Sequence, residues 1–169
     1  SERNRTRLQI ENAWHNLFEE HDHPVHRFRL AAIYGPERNT LERVKQGKAR
    51  RIDKPGLLFS RIHIDDVVQV IRASINKKNP GQVYNLGDDL PVSPEEVVSY
   101  GCSLLGVEPP PLQSPEEAEL SPMATSFYQD SKRVANTRIK DELGVQLKFP
   151  DYKAGLNHLL TNLRKEGSQ

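Results

Sequence analysis

An α/β fold with a largely parallel sheet is expected for this 169-residue chain, from three features. Apolar runs of strand length alternate with segments of helical period. Pro, Gly or a capping residue punctuates almost every change of period. Hydrophobic residues make up 36% of the chain, enough for a core but a thin one. Leu8, Ile10, Ala13, Trp14, Leu17 and Phe18 recur at helical spacing, predicting an amphipathic helix over 1–20. It starts with charged residues and no cap, as a helix cut from something longer would. Residues 24–33 read as a strand ending at Tyr34-Gly35-Pro36, and Asn39 is placed to cap a short helix over 40–46. Segments 49–53 and 57–64 flank Lys54-Pro55-Gly56 and read as a hairpin.

Asp65-Asp66 precede Val67, Val68, Val70, Ile71 and Ile75, which predicts an N-cap and a buried helix. Asn79-Pro80-Gly81 breaks the chain before a short strand over 82–87. Ser93-Pro94-Glu95-Glu96 combines a cap, a proline at the first helical position and a capping box, opening a helix that stops at Gly106. Five prolines between 108 and 122 predict a loop or a broken helix. Asp130 or Ser131 is then expected to cap a helix reaching Leu143 before Gly144, and a last amphipathic helix covers 151–164 ahead of a frayed tail. Two sheet strands and a hairpin are few for an independent doubly wound domain, so a fragment is expected.

Composition removes several classes of function. Lys+Arg number 24 against 23 Asp+Glu, a net charge of +1, which gives no simple footprint for nucleic acid. No run approaches the ~18–20 apolar residues of a membrane span. No apolar segment follows the charged N-terminus as a secretory signal would require. Cys102 alone excludes an internal disulfide and a Cys-rich zinc site, and it reads as packing. The expectation is a soluble chain of a reducing compartment, cytoplasmic or organellar.

Four motifs resemble a known family. Arg29-Leu30-Ala31-Ala32-Ile33-Tyr34-Gly35-Pro36 is similar to the "R-P-x-x-V-Y-G-P" strand of the extended short-chain dehydrogenase/reductases, the NAD-dependent epimerase/dehydratase superfamily. Arg61-Ile62-His63-Ile64-Asp65-Asp66-Val67 resembles its "HVxD" segment, Val83-Tyr84-Asn85-Leu86-Gly87 its "Y-N-[LV]-G" strand, and Ser131-Lys132-Arg133 ahead of Glu142-Leu143-Gly144 its late "S-K-A…LG" helix. Ser121-Pro122-Met123-Ala124 with Phe127-Tyr128 looks more like the atypical branch described as YeeZ-like. The resemblance implies the C-terminal part of a Rossmann-like doubly wound parallel sheet plus a small α/β substrate-binding subdomain, spanning 1–169. It implies NAD or NADP in a full-length protein and a sugar or related polar metabolite as substrate.

The motifs cover only the second half of that fold. No G-x-G-x-x-G pattern occurs to hold a pyrophosphate at a helix N-terminus, so no dinucleotide is expected to bind this chain tightly. Where the family carries its Tyr-x-x-x-Lys pair, counting back from Glu11 gives Arg3 and Arg7. A guanidinium exchanges no proton at neutral pH, which leaves the usual acid/base group absent. The resemblance assigns Arg7, Leu30 and Ile33 to cofactor contact and Arg61, His63, Tyr128 and Lys132 to substrate contact. His63 reads equally as an organiser of the strand-to-helix turn. Phe59 stands where sugar-nucleotide members carry a clamp arginine, and Arg61 lies two residues later.

A His/acid cluster (His15, Glu19, His21, Asp22, His23, His26) and a basic run (Lys45, Lys48, Arg50, Arg51, Lys54) read as solvated surface; no metal and no nucleic acid are expected. The expected function is the substrate-binding half of an NAD(P)-dependent epimerase/dehydratase-like oxidoreductase, inactive alone. The alternative is a non-catalytic metabolite- or protein-binding module that keeps the fold. Expected partners are a small-molecule substrate, the missing N-terminal half and a second copy of the chain. The strand around Phe28 is expected to present an unpaired apolar edge.

Overall fold

The computed structural model describes residues 2–77 and 79–166. A 20-residue helix, α1 (Glu2–His21), leads into β1 (Arg27–Leu30) and β2 (Ala32–Tyr34), which are one extended run broken only at Ala31. Consecutive amides there face opposite edges. The Ala31 amide donates to the Leu86 carbonyl at 2.8 Å, and the Ala32 amide to the Ser60 carbonyl at 3.3 Å. β1 therefore pairs in parallel with β5 (Val83–Leu86) on one side, and β2 pairs in parallel with β4 (Arg61–His63) on the other. The amides of Phe28 and Leu30 face the β4 side, before β4 begins, so that half of the strand keeps an unpaired edge among the described residues. Leu30 is 43% exposed along it.

The hairpin expectation is corrected. β3 (Arg51–Ile52) pairs in parallel with β6 (Leu112–Gln113), far along the chain, and not with 57–64. The turn does form, with Gly56 at φ +76°, but its second arm finds other partners. Phe59 exchanges backbone hydrogen bonds with Val92, while Ser60 donates to the Lys132 carbonyl and the Lys132 amide donates to Leu58. Those bonds correct a second expectation. Ser131 and Lys132 lie in an extended segment, not at a helix start, and α6 is short (Thr137–Asp141) with no side-chain cap bond at Asn136. A short helix absent from the sequence reading, α5 (Pro122–Phe127), follows the proline-rich loop.

The other helices follow their local signals. α2 (Thr40–Lys45) is capped by Asn39, whose side chain accepts from the Glu42 amide. α4 (Pro94–Leu105) is capped by Ser93 and ends on left-handed Gly106 at φ +68°. The capping box is not reciprocal, because the Glu96 carboxylate accepts from the Tyr152 hydroxyl instead. α3 (Ile64–Asn76) is capped by the imidazole of His63, two positions before the first of the aspartates expected to do it. α7 (Tyr152–Glu166) closes the described chain, with Asp151 accepting from the Ala154 amide.

Two buried clusters hold these elements together. Ile62, Val67, Val70, Tyr84, Leu86, Ile139, Leu143 and Val145 pack α3 and α6 against β4 and β5. Tyr34, Leu41, Val92, Val97, Tyr152, Leu156 and Leu159 join α2, α4 and α7 beyond the end of β2. α1 shares neither. Arg29 forks onto Glu11, and Phe18 packs against Gly81, where a Cβ would come within 2.5 Å of its ring. Leu8, Ile10 and Trp14 stay 54–55% exposed, so the N-terminal part of the stripe that made the helix read as amphipathic is largely uncovered.

Candidate functional site

Parallel strands deliver their C-terminal ends to one place, and in open α/β sheets that end is where ligands sit. Tyr34 closes β2 directly opposite His63, which closes β4. Asp88 follows β5 by two residues and binds back to Arg61: its amide donates to the Arg61 carbonyl at 2.6 Å, and its Oδ1 accepts from the Arg61 amide at 3.1 Å. Above these ends lies a cleft of about 330 Å³ between α2, α4 and α7. Ile33, Tyr34, Arg38, Arg43, Arg61 and Tyr152 are among its walls.

The polar groups of this region are unusual in what they lack. Arg61 is part-buried, its Nη1 donating to the carbonyls of Phe59 (2.9 Å) and Val92 (3.3 Å). Burial lowers its affinity for the proton, against the pull of Asp88. Asp88 is 2% exposed, and burial raises its carboxyl to about 7, only partly countered by its bonds to Arg61. Its Oδ2 has no partner. Tyr34 is 9% exposed with an unpartnered hydroxyl over Gly155; burial, then Asp88, pushes its phenol well up. Burial and the bond to Glu96 raise Tyr152 in the same way. Neither phenol is therefore a ready acid at neutral pH.

The residues singled out from sequence divide among four places. Ile33 and Arg61 face the cleft. His63 lies behind it: 1% exposed, it accepts from the Asp65 amide through Nδ1 and stacks on Phe149 with ring centroids 4.2 Å apart. Burial keeps this imidazole neutral by lowering its pKa. Lys132 and Tyr128 belong to an aromatic knot around Phe59. The Lys132 ammonium sits 4.1 Å from the Phe127 ring centroid and donates to the Phe127 carbonyl, and the Tyr128 ring is 6.4 Å from Phe59. Arg7 and Leu30 share a separate groove of about 800 Å³ between α1 and β1, with Ile10, Trp14 and Phe28. The side chain of Arg3 lies outside the described residues.

Tyr34, Asp88 and Tyr152 escaped the sequence reading. Tyr34 and Asp88 each directly follow a recognisable strand, a position that could have flagged them. The basic run is spent structurally, Arg50 on the Ala118 carbonyl, Arg51 on Pro110 and Glu95, and Lys54 on the Tyr128 carbonyl. Among the described residues no group of three or more His, Cys, Asp or Glu could hold a metal ion, and no helix is long and apolar enough to cross a membrane.

A dinucleotide's pyrophosphate does not fit the helix ends present. The helices that follow β2, β4 and β5 each begin with a side-chain cap, Asn39, His63 or Ser93, and carry acid in the first turn. At α3 the Asp66 carboxylate already accepts from the amides of Lys148 (2.7 Å) and Phe149 (3.1 Å). Capped, acidic helix starts repel a diphosphate where an open, glycine-lined one would bind it.

No family model and no curated protein matches this chain. Solved structures do. A functionally unknown conserved protein from Silicibacter pomeroyi is similar with 46% identity and a TM-score of 0.88, over 96% of this chain and 56% of that one. UDP-glucose 4-epimerase from Thermotoga maritima, solved with UDP-glucose, matches with 19% identity and TM-score 0.75 over 94% and 52% of the two chains. dTDP-glucose 4,6-dehydratase from Bacillus anthracis, in complex with NAD, matches with 17% identity and TM-score 0.72 over 94% and 50%. The chain spans about half the length of each. It has the α/β fold of the C-terminal regions of the epimerase/dehydratase enzymes.

Proposed function

We propose that this chain is the substrate-side half of a dinucleotide-dependent oxidoreductase of the epimerase/dehydratase type, of its atypical, YeeZ-like branch, acting on a sugar or related polar metabolite. The observation that carries the reading is the shape of the sheet. The end of β2 and Arg61 of β4 line a cleft, while β1 leaves one edge unpaired beside exposed apolar residues of α1. Such an edge is the docking line for a further strand. A nucleotide-cradling segment seated there would bring its cofactor between Arg7 and Leu30 on one side and the cleft with Ile33 and Arg61 on the other. Residues of this chain would position substrate and exclude water. Hydride chemistry belongs to the cofactor, and no step through it is assigned to these residues.

Titration of NADH fluorescence tests this. The 169-residue chain alone is expected to show no saturable binding, and the full gene product to bind, with Leu30→Glu weakening it. Tight binding by the chain alone overturns the assignment as a half. No binding by the full product overturns the oxidoreductase reading. A non-catalytic binding module is favoured by one observation, the guanidinium of Arg7 where the family places a proton-exchanging lysine. A full gene product that binds NADH without oxidising it in the presence of sugar substrates would establish that alternative.

A further inference from the structure

We infer that the outer flank of α3 seats a helix of the same nucleotide-cradling segment, which therefore docks as a strand-and-helix unit rather than as a strand alone. The inference deepens the proposed function and rests on that segment being part of the full gene product. Ile64, Val68, Ile71 and Ile75 of α3 are exposed at 38%, 43%, 40% and 69%. Their spacing of four, three and four residues is the a/d pattern of a heptad. A seam of that kind takes another helix, its axis about 20° from that of α3. Scattered apolar side chains need no explanation, but a continuous seam of them marks an interaction surface.

The direction of the seam follows from what holds the other two faces. At about 100° per residue, α3 divides into three faces roughly 120° apart. Asp66, Val67, Val70 and Ser74 form the buried one. Asp65 and Gln69 lie on the second, where Lys148 donates to Asp65 and Gln69 donates to the Gln146 carbonyl. That partner segment sits on the β5 side, for Arg138 donates to the Val83 carbonyl and the Asp89 amide to the Pro150 carbonyl. The seam is the third face, turned away from β5 and toward the side on which the β1 edge is unpaired. It also runs the length of that edge. At one end a Cβ on Gly35, just past β2, would lie 2.6 Å from Ile64. Beyond the other end His26, just before β1, donates to the Asn79 carbonyl at 2.6 Å.

A strand added to the β1 edge lengthens a parallel sheet, and parallel sheets keep both faces covered by helices. The helix covering the added strand on the α3 side would lie against this seam. A second copy of the chain fits less well. Four side chains at these exposures offer roughly 350 Å², so two copies seam to seam would bury roughly 700 Å², below the ~1,200 Å² at which stable interfaces begin. A segment tethered to the same chain needs no such area, because the linkage supplies a high effective concentration. The similar protein from Silicibacter pomeroyi has length for it, since the match takes in 56% of that chain.

Cysteine reactivity in the full gene product tests the inference. Val68→Cys and Ile71→Cys sit in the seam, and Asn76→Cys sits on the exposed polar face of the same helix. Cys102 is fully buried and adds little background; any other exposed thiol is replaced by serine. The two seam cysteines are expected to react with an aromatic disulfide reagent roughly 10-fold or more slowly than Asn76→Cys, at a rate unchanged by dilution. Equal rates at the three positions overturn the inference. Protection that is lost on dilution means that a second copy covers the seam, and overturns it too. Ile71→Glu supplies a second measurement: it should lower the melting temperature of the full product, and Asn76→Glu should not. Equal effects of the two overturn the inference. NADH binding by a product whose seam is reactive leaves the proposed function standing, whereas a reactive seam in a product that binds no NADH overturns both.

Discussion

Replacing Gly155 by alanine tests the packing that shapes the cleft floor. A Cβ there would lie 1.9 Å from the Tyr34 hydroxyl oxygen, 2.6 Å from Cζ and 2.7 Å from Cε2. Tyr34 cannot easily retreat, since its ring already meets His63 edge-on with centroids 5.1 Å apart. Forcing an extra methyl into a filled core costs about 1–3 kcal/mol, and contacts this short argue for the upper end. Alanine returns about 1 kcal/mol of helix propensity to α7. The net is a loss of about 2 kcal/mol, or about 4–8 °C in melting temperature for a chain of this size. Tyr34→Phe removes the nearest atom and an unpartnered hydroxyl, so alone it should be neutral or slightly stabilising. Combined with Gly155→Ala it should recover only part of the loss, because two carbon contacts remain. Thermal melts of the four proteins followed by circular dichroism measure this. A Gly155→Ala protein that melts at or above the parent would refute the reasoning, for propensity would then have outweighed the clash.

Three further outcomes follow from the same geometry. Asp88 titrates near 7 in the fold and near 3.8 when unfolded, so between those values the native state binds more protons and stability falls as pH rises. Urea melts should show that loss from about pH 4 to 8, up to roughly 4 kcal/mol for the full shift, and Asp88→Asn should flatten it; an unchanged slope would dismiss Asp88 as its source. Asp66→Ala leaves the amides of Lys148 and Phe149 without an acceptor and should cost roughly 2–4 kcal/mol, a value that chemical denaturation would contradict if it came out below 1 kcal/mol. Leu30→Lys places a charge on the unpaired edge of β1 and should reduce concentration-dependent self-association in sedimentation velocity. A parent chain that sediments as a monomer at all concentrations would refute the idea that this edge is exposed to partners.

Much of the fold is legible because it rests on local chemistry. Asn39, Ser93 and Gly106 act through hydrogen bonds or dihedrals within a few residues, and each does what its neighbours in sequence imply. Two failures are local, the Ser121 cap that opens α5 and the His63 cap of α3; the larger ones are non-local. Lys54-Pro55-Gly56 makes the turn it advertises, but the chain after it bonds to Val92 and Lys132, and no feature of 49–64 names those partners. The helix expected after Ser131 gives way for the same reason, since the serine hydroxyl is taken by the Leu58 amide and the Gly56 carbonyl, both more than seventy residues away.

The site divides along the same line. Arg61 could be singled out because it stands two residues past the position where the resembled motif carries a clamp arginine. Asp88 offered only its place after a strand, for in sequence it resembles its neighbour Asp89 and differs in surroundings. Asp89 is held by Asn136 and Lys140 and stays below the usual carboxylate range, whereas Asp88 turns inward beside Arg61 and rises to about 7. Two adjacent aspartates thus shift in opposite directions, Asp88 upward chiefly through burial and Asp89 downward through its bonds to Asn136 and Lys140. The two strand residues that the resemblance links to cofactor contact separate similarly. Leu30 and Ile33 lie three apart on one strand and so point to opposite faces of the sheet, and they line two different cavities.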